Sequence, residues 1–288
     1  MFGSSYQLCR VFGIPIRLNV TLLILTGFIW YNTVKVYESF AIGLLLGGIF
    51  SLLLLLSIVL HELGHSLVAM RFGCRVRAIT LMIFGGVAEL SHIPTKPVQE
   101  FLVAIAGPLV SMLLWMTGKY GSFLLLTNGM AESSFAGALL YKALDFLGDL
   151  NCALFLFNLV PAFPMDGGRM LRAVLSHRLG RLRATKIAVT VGRVFAMAYI
   201  AWVLVTDIFS KNPSGWGIIQ ILMALYLFQI AGYEYQMVQL ESYYERAGER
   251  APWAPPPPPP DVYVSPPPYE QSKPKRRWWQ VFHKDDDN

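Results

Sequence analysis

The sequence predicts an all-α polytopic membrane protein of about six transmembrane helices, with a small β-hairpin or re-entrant loop near the functional site. The 288-residue chain is 55% hydrophobic, and only 15% of its residues are charged. Soluble domains average about 25% charged residues. Several stretches also approach the roughly 20 apolar residues that are needed to cross the hydrocarbon of a bilayer.

Long apolar runs give the predicted spans and a single transmembrane domain over residues 1–236. The second run is too long for one perpendicular crossing, so it must tilt, bend or leave the bilayer before it ends. The six runs cover residues 18–37, 41–72, 98–115, 139–159, 187–209 and 216–235.

Residues 74–90 are rich in β-branched side chains and alternate in part, with Gly85 and Gly86 as a predicted turn. We interpret this stretch as the hairpin or re-entrant loop. Strand edges cannot face lipid, so it must pack against protein or line a wet cavity. An exposed edge there would hold a substrate in extended form by strand addition. An ordinary interfacial loop is the alternative interpretation.

Basic residues cluster in alternate loops, which predicts a topology. With six crossings the clusters share one face, which the positive-inside rule makes cytoplasmic, so both termini are expected in the cytosol. The net charge of +6 therefore indicates orientation in a membrane, and no nucleic-acid partner is expected. The clusters lie within residues 10–17, 71–96, 169–186 and 246–277.

Residues 237–288 are predicted to form a cytosolic tail, with six consecutive prolines at 255–260. Such sequence favours extended polyproline geometry and cannot build a core. A Pro-Pro-x-Tyr match ending at Tyr269 could bind a regulatory partner, although a linker is the simpler interpretation.

The sequence His61-Glu62-Leu63-Gly64-His65 closes the second apolar run. Imidazoles at i and i+4 lie about 40° apart around a helix, so both can reach one metal ion. The carboxylate beside the first histidine can then act as a general base towards water, as in zinc hydrolases. Ordinary helix histidines, hydrogen-bonded to their neighbours, are the alternative.

A catalytic zinc usually has three protein ligands and one open position. Asp166 is the best candidate for the third, because it follows the fourth span, which runs in the same direction as the second. Prolines end that span early, and two glycines follow the carboxylate. A simple turn after a helix is the alternative, and Glu89 and Glu100 are alternative ligands.

These motifs resemble those of the site-2 protease family of intramembrane zinc metalloproteases. The His61–His65 segment matches the family's H-E-x-x-H helix, and residues 158–168 match its Asn-x-x-Pro-x-x-Pro-x-Asp-Gly motif. Residues 106–109 look like its intervening helix. The resemblance covers roughly residues 10–235 and is nearest to the compact six-span branch that includes the protease of a sporulation factor.

The resemblance implies one Zn2+ per chain, with His61, His65 and Asp166 as ligands and Glu62 as the general base. It also implies that Asn151 orients the substrate or stabilises charge. Asn158 shares its helix face, and amides there could instead join helices.

The implied activity is hydrolysis of a peptide bond in or near a transmembrane segment of a membrane-protein substrate, within the lipid bilayer. Two other functions use similar residues. An intramembrane metal transporter would need a two-sided path for the ion, and an inactive helix-binding scaffold would have no use for Glu62.

Overall fold

The computed structural model describes residues 5–37, 39–82, 85–90, 96–209 and 217–250. Helices dominate the described residues, and four strands accompany them. In chain order the elements are β1 (Ser5–Val11), β2 (Ile14–Asn19), α1 (Thr21–Val36), α2 (Phe40–Arg71), β3 (Val76–Met82), β4 (Gly85–Leu90), α3 (Pro97–Thr127), α4 (Met130–Ser133), α5 (Phe135–Leu159), α6 (Asp166–Leu179), α7 (Arg181–Val203), a π-helical turn (Leu204–Ile208) and α8 (Gly217–Arg250).

The four strands form one sheet in the order β1-β2-β3-β4. Two antiparallel hairpins, β1–β2 and β3–β4, are joined by parallel pairing of β2 with β3, where Ile16 lies opposite Ile79. The hairpin predicted within residues 74–90 is thus present. However, Gly85 and Gly86 begin β4 and pair with Met82 and Leu81, so they are not the turn itself. The first hairpin was not predicted, and the class all-α was too narrow.

The sheet lies against α2 through an aliphatic core. Inward residues of β2 alternate with outward ones, as expected for a strand with one buried face. Its partners on α2 recur at helical spacing, so one stripe of the helix covers the sheet. The buried members are Ile14, Ile16, Leu22, Leu54, Ile58, Leu63, Ile79 and Leu81. This core fixes the end of α2 that carries the histidine pair.

Four helices of the described part are long and apolar enough to cross a membrane: α2, α3, α7 with its π-helical continuation, and α8. The predicted number of six is not confirmed. The first predicted span becomes α1, a shorter apolar helix of 16 residues. The fourth becomes α5, which carries Lys142, Asp145 and Asp149 and is not among the four. The third extends to Thr127.

Contacts divide the chain into two units, Met1–Val238 and Gln239–Asn288. The first contains the sheet, α1 to α7 and α8 as far as Val238. Of the second, the structure describes only the final residues of α8. The proline-rich segment from residue 251 onward, predicted as a tail, lies outside the described residues.

Helices α3 and α5 cross closely because two glycines meet. A Cβ added at Gly118 would lie 2.5 Å from the backbone nitrogen of Gly148. Lys119 donates to Asp145 at 2.7 Å, and its Nζ also lies 2.7 Å from an Asp149 oxygen. Small residues that let backbones approach are typical of helix contacts in membranes.

Replacing Gly118 with Ala should lower the free energy of unfolding by about 1–3 kcal/mol, because the added methyl overpacks this crossing. Thermal unfolding in detergent measures the change. Gly27→Ala is the matched control, since a Cβ there meets nothing within 4 Å and alanine is the better helix former. Equal stability of the two variants would contradict the close crossing.

Candidate metal centre

Three side chains that are far apart in the sequence meet in one buried cluster. The Nε2 atoms of His61 and His65 are 3.2 Å apart, and Oδ2 of Asp166 lies 3.3 Å from the first and 3.0 Å from the second. The three residues are only 5%, 5% and 8% exposed. Among the described residues, this is the group of His, Cys, Asp and Glu side chains able to hold a metal ion.

Helix α2 presents the two imidazoles because they are one turn apart on its buried face. Their ring centroids are 4.9 Å apart and the rings are steeply inclined, so both Nε2 atoms point to a common centre. Gly64 lets α3 approach this face: a Cβ there would lie 2.9 Å from the Ala106 carbonyl oxygen.

Helix α3 orients both rings through their Nδ1 atoms. Nδ1 of His65 donates to the carbonyl oxygen of Val103 at 2.6 Å, and Nδ1 of His61 is hydrogen-bonded to Ser111 Oγ at 2.8 Å. Such partners fix the ring orientation and tautomer of metal-binding histidines. Pro108 lies inside α3 and cannot donate to the Ala104 carbonyl, so the helical ladder is interrupted close to Val103.

The donor set suits a cation. Because a carbonyl only accepts hydrogen bonds, the proton of neutral His65 is on Nδ1 and its Nε2 lone pair faces the cluster. The Nε2 lone pair of His65 and the Asp166 carboxylate oxygen 3.0 Å from it repel each other unless a positive charge lies between them. Ligands of a tetrahedral zinc are about 3.3 Å apart, close to the observed separations. The residues therefore fit a zinc ion.

Gly107 supplies the space in front of the rings. A Cβ at this position would lie 2.1 Å from His65 Nε2 and 2.7 Å from His61 Nε2. Any other residue would place its side chain where the nitrogen lone pairs converge. The closest part of α3 to the cluster must therefore be glycine.

Asp166 reaches the cluster because the chain turns sharply after α5. Residues 160–165 are irregular, and Asp166 is the first residue of α6. The alternative prediction was a simple turn at Asp166, whereas the structure has a helix that begins there. A Cβ at Gly167 would lie 2.2 Å from the Val160 carbonyl oxygen. The two glycines thus allow close packing of the turn on α6. The second oxygen of Asp166 lies 3.8 Å from an Arg169 nitrogen.

Glu62 lies against the sheet, beside the first histidine of the cluster. It follows His61 on α2, and a Cβ added at Gly86 would lie 2.3 Å from Glu62 Cγ and 3.1 Å from its Oε1. The predicted base and one of the predicted loop glycines are therefore in contact. Gly85, with φ +122°, begins the same strand.

Asn151 and Asn158, which were predicted to contact the substrate, donate hydrogen bonds to groups on α2 and α5. Nδ2 of the fully buried Asn151 donates to Ser57 Oγ and to the Leu147 carbonyl, both at 2.9 Å. Ser57 lies one turn before His61, so this bond joins α5 to the metal helix. Asn158 donates to the Leu154 carbonyl within α5. The structure therefore does not bring either amide nitrogen to the cluster.

Sequence reasoning missed Ser111, Val103 and the spatial role of Gly107. Residues 106–109 were noted only as part of a resemblance, and no spacing rule links Ser111 to His61 across 50 residues. Of the alternative ligands, Glu89 is exposed and Glu100 is paired with Arg172.

Apolar helices around a buried His-His-Asp cluster with an adjacent glutamate define a membrane metalloprotein with the side chains of a hydrolase. Comparison with known proteins agrees. A sequence model of peptidase family M50 matches residues 49–125 and 119–199. The chain therefore belongs to peptidase family M50.

Individual relatives support the same assignment. A zinc metalloprotease of Methanocaldococcus jannaschii is 37% identical over 241 residues, covering 84% of this chain and 63% of the relative. Stage IV sporulation protein FB of Bacillus subtilis is 32% identical over 191 residues, covering 66% of this chain and 61% of the relative. This chain thus spans less than two thirds of the length of either relative.

A solved structure has the same fold. The site-2 protease from Methanocaldococcus jannaschii superposes with a TM-score of 0.54 and 36% identity, over 81% of this chain and 95% of that one. The resemblance to the site-2 protease family, inferred from the motifs, is confirmed.

Gly107→Ala should weaken zinc binding at least about tenfold, because the methyl group forces both imidazoles away from their common centre. Titration of the purified apo-protein with zinc against a chromophoric chelator measures the affinity. Gly121→Ala, on the same helix, is the control: the three atoms nearest to its Cβ all belong to the Leu144 side chain, the closest at 3.0 Å. Unchanged affinity in the Gly107 variant would show that the ion does not lie beside this residue.

Proposed function

We propose that this chain is a zinc-dependent intramembrane endopeptidase that hydrolyses a peptide bond in or near a transmembrane segment of a membrane-protein substrate. The observation that carries the proposal is the convergence of His61, His65 and Asp166 within 3.0–3.3 Å, next to Glu62. Its relatives carry the name zinc metalloprotease or site-2 protease, which supports the same reaction.

In this proposal His61, His65 and Asp166 would hold one zinc ion. Bound zinc supplies Lewis-acid chemistry, acidifying water and polarising the scissile carbonyl. Glu62 takes the proton from the attacking water and returns it to the leaving amine. Ser111 and Val103 keep the two imidazoles oriented, while Arg169 lies near the second oxygen of Asp166.

The substrate is proposed to bind in extended form along β4. This strand is at the end of the sheet order and pairs with β3, so its other edge can accept a further strand. Gly86 of β4 lies against the side chain of Glu62. A substrate added to β4 would therefore lie beside the general base, with its helical hydrogen bonds already exchanged for sheet bonds. Gly85 and Gly86 are thus proposed to position the substrate.

The contacts of the Asn151 and Asn158 side chains suggest a role for each. Asn151 is proposed to position α5 against α2, since its donor is used by Ser57 and Leu147, while its buried Oδ1 has no hydrogen-bond partner among the described residues. Asn158 is proposed to contact the substrate at the end of α5, where it is partly exposed.

We propose a cytosolic location for the active site and both termini, which the distribution of basic residues supports. Residues 1–236 would form the protease domain, and residues 237–288 a cytosolic tail open to a regulatory partner. The substrate would be a single-span protein whose cytosolic part is released.

A metal transporter is less well supported. It would need metal ligands at successive depths along a path through the membrane. Within the residues that the structure describes, one such group is present, and its histidines lie in the C-terminal third of α2. No observation favours an inactive scaffold.

Glu62→Gln should reduce cleavage of a model transmembrane substrate by about 10²–10⁴-fold, because the amide cannot accept a proton. Zinc content should stay unchanged. Cleavage is measured in detergent on gels, and zinc by elemental analysis. Glu132→Gln, an exposed change on α4, is the control. Full activity of the Glu62 variant would remove the proposed base.

Asp166→Ala should weaken zinc binding by at least about tenfold, because one of three ligands is lost. The same chelator titration applies, with Asp149→Ala as a control carboxylate that pairs with Lys119. Wild-type affinity in the Asp166 variant would assign the third ligand to another residue.

A further inference from the structure

Arg172 on α6 is a charged side chain with no exposed surface, held between carboxylates of two other helices. Its Nε donates to Oε1 of Glu100 on α3 at 2.6 Å, and Nη2 contacts the same oxygen. Nη1 lies 3.6 Å from an oxygen of Glu234 on α8. Glu100 is 2% exposed, so this ion pair is removed from solvent.

A buried pair of this kind is a poor source of stability. Withdrawing both charges from water costs several kcal/mol per ion, and well-packed apolar residues often serve as well or better. The guanidinium is also incompletely hydrogen-bonded, because Nη1 makes no hydrogen bond with the described residues. Stability therefore does not explain the buried pair, and we look for its role in where it holds the helices.

Both partners lie close to residues that build the metal centre. Glu100 is one helical turn before Val103, whose carbonyl orients His65. Arg172 is on the helix that begins with Asp166, about 9 Å further along its axis. Its guanidinium also lies 4.8 Å from the ring of Phe163, in the turn that leads to Asp166.

We propose that the Glu100–Arg172 pair is a positioning element of the zinc site. It fixes the separation of α3 and α6, and so holds the carboxylate of Asp166 against the two imidazoles that α3 orients. Neither residue contacts the ion. The inference rests on the proposed zinc binding and assigns to it two residues outside the ligand set.

The test separates positioning from simple stability by replacing both charges together. A single change at Arg172 would leave Glu100 buried without its cation and threatens folding. The double variant Glu100→Leu, Arg172→Met keeps apolar volume. Two quantities are measured on the full chain in detergent: the thermal midpoint of the apo-protein, and the zinc dissociation constant by competition with a chelator.

We expect the double variant to unfold near the wild-type midpoint but to bind zinc about 10- to 100-fold more weakly, the range found for outer-shell partners of metal sites. Wild-type zinc affinity in a stable double variant would overturn the proposal. If the wild-type chain itself binds no zinc, the proposed function fails instead, so the two failures are distinct.

Two further variants complete the design. Asp145→Asn weakens the ion pair between α3 and α5 and should change stability without changing zinc affinity; an equal loss of affinity there would contradict a specific role for Arg172. Arg172→Lys keeps the charge but loses the Nε donor. It should lower zinc affinity with little change in midpoint, and retained affinity would also count against the proposal if the double variant does not fold.

Discussion

The structure depends on one electrostatic constraint: three polar side chains must face one another inside an apolar helical protein. The Nε2 lone pair of His65 and a carboxylate oxygen 3.0 Å from it, with His61 Nε2 beside them, are unfavourable in a medium of low dielectric unless a positive charge lies among them. Every element nearby serves this cluster. Helix α2 carries the two histidines, and α3 hydrogen-bonds their Nδ1 atoms. The turn before α6 places the carboxylate of Asp166 beside them.

The helices bring these side chains together because their backbones approach closely at glycines. Gly64 and Gly107 let α2 and α3 touch at the cluster, while Gly118 and Gly148 bring α3 and α5 together further along. In lipid, helices gain little from hydrophobic burial against each other, so packing and hydrogen bonds at small residues must hold them. The metal centre and the helix crossings thus rely on the same type of residue.

Much of the site could be predicted because its metal-binding residues lie in short sequence motifs. His61 and His65 are one turn apart, and Asp166 lies in a motif of prolines and glycines, so the family prediction was confirmed and the structure brings the three residues together. Their role as ligands stays a prediction. Ser111 and Arg172 could not be found, since their partners depend on how α2, α3 and α6 pack. The β1–β2 hairpin was missed because β2 joins the sheet by parallel pairing with β3, which lies far from it in the sequence. The six spans remain unconfirmed because α5 carries three charges and α1 is short.

The length of α2 has a consequence for hydration. A helix of 32 residues extends about 48 Å, whereas the hydrocarbon layer is only about 30 Å thick. His61 comes about 31 Å after the helix begins. If Phe40 lies at one surface of the bilayer, the imidazoles reach the opposite headgroups, and solvent needs only a shallow vestibule to wet them.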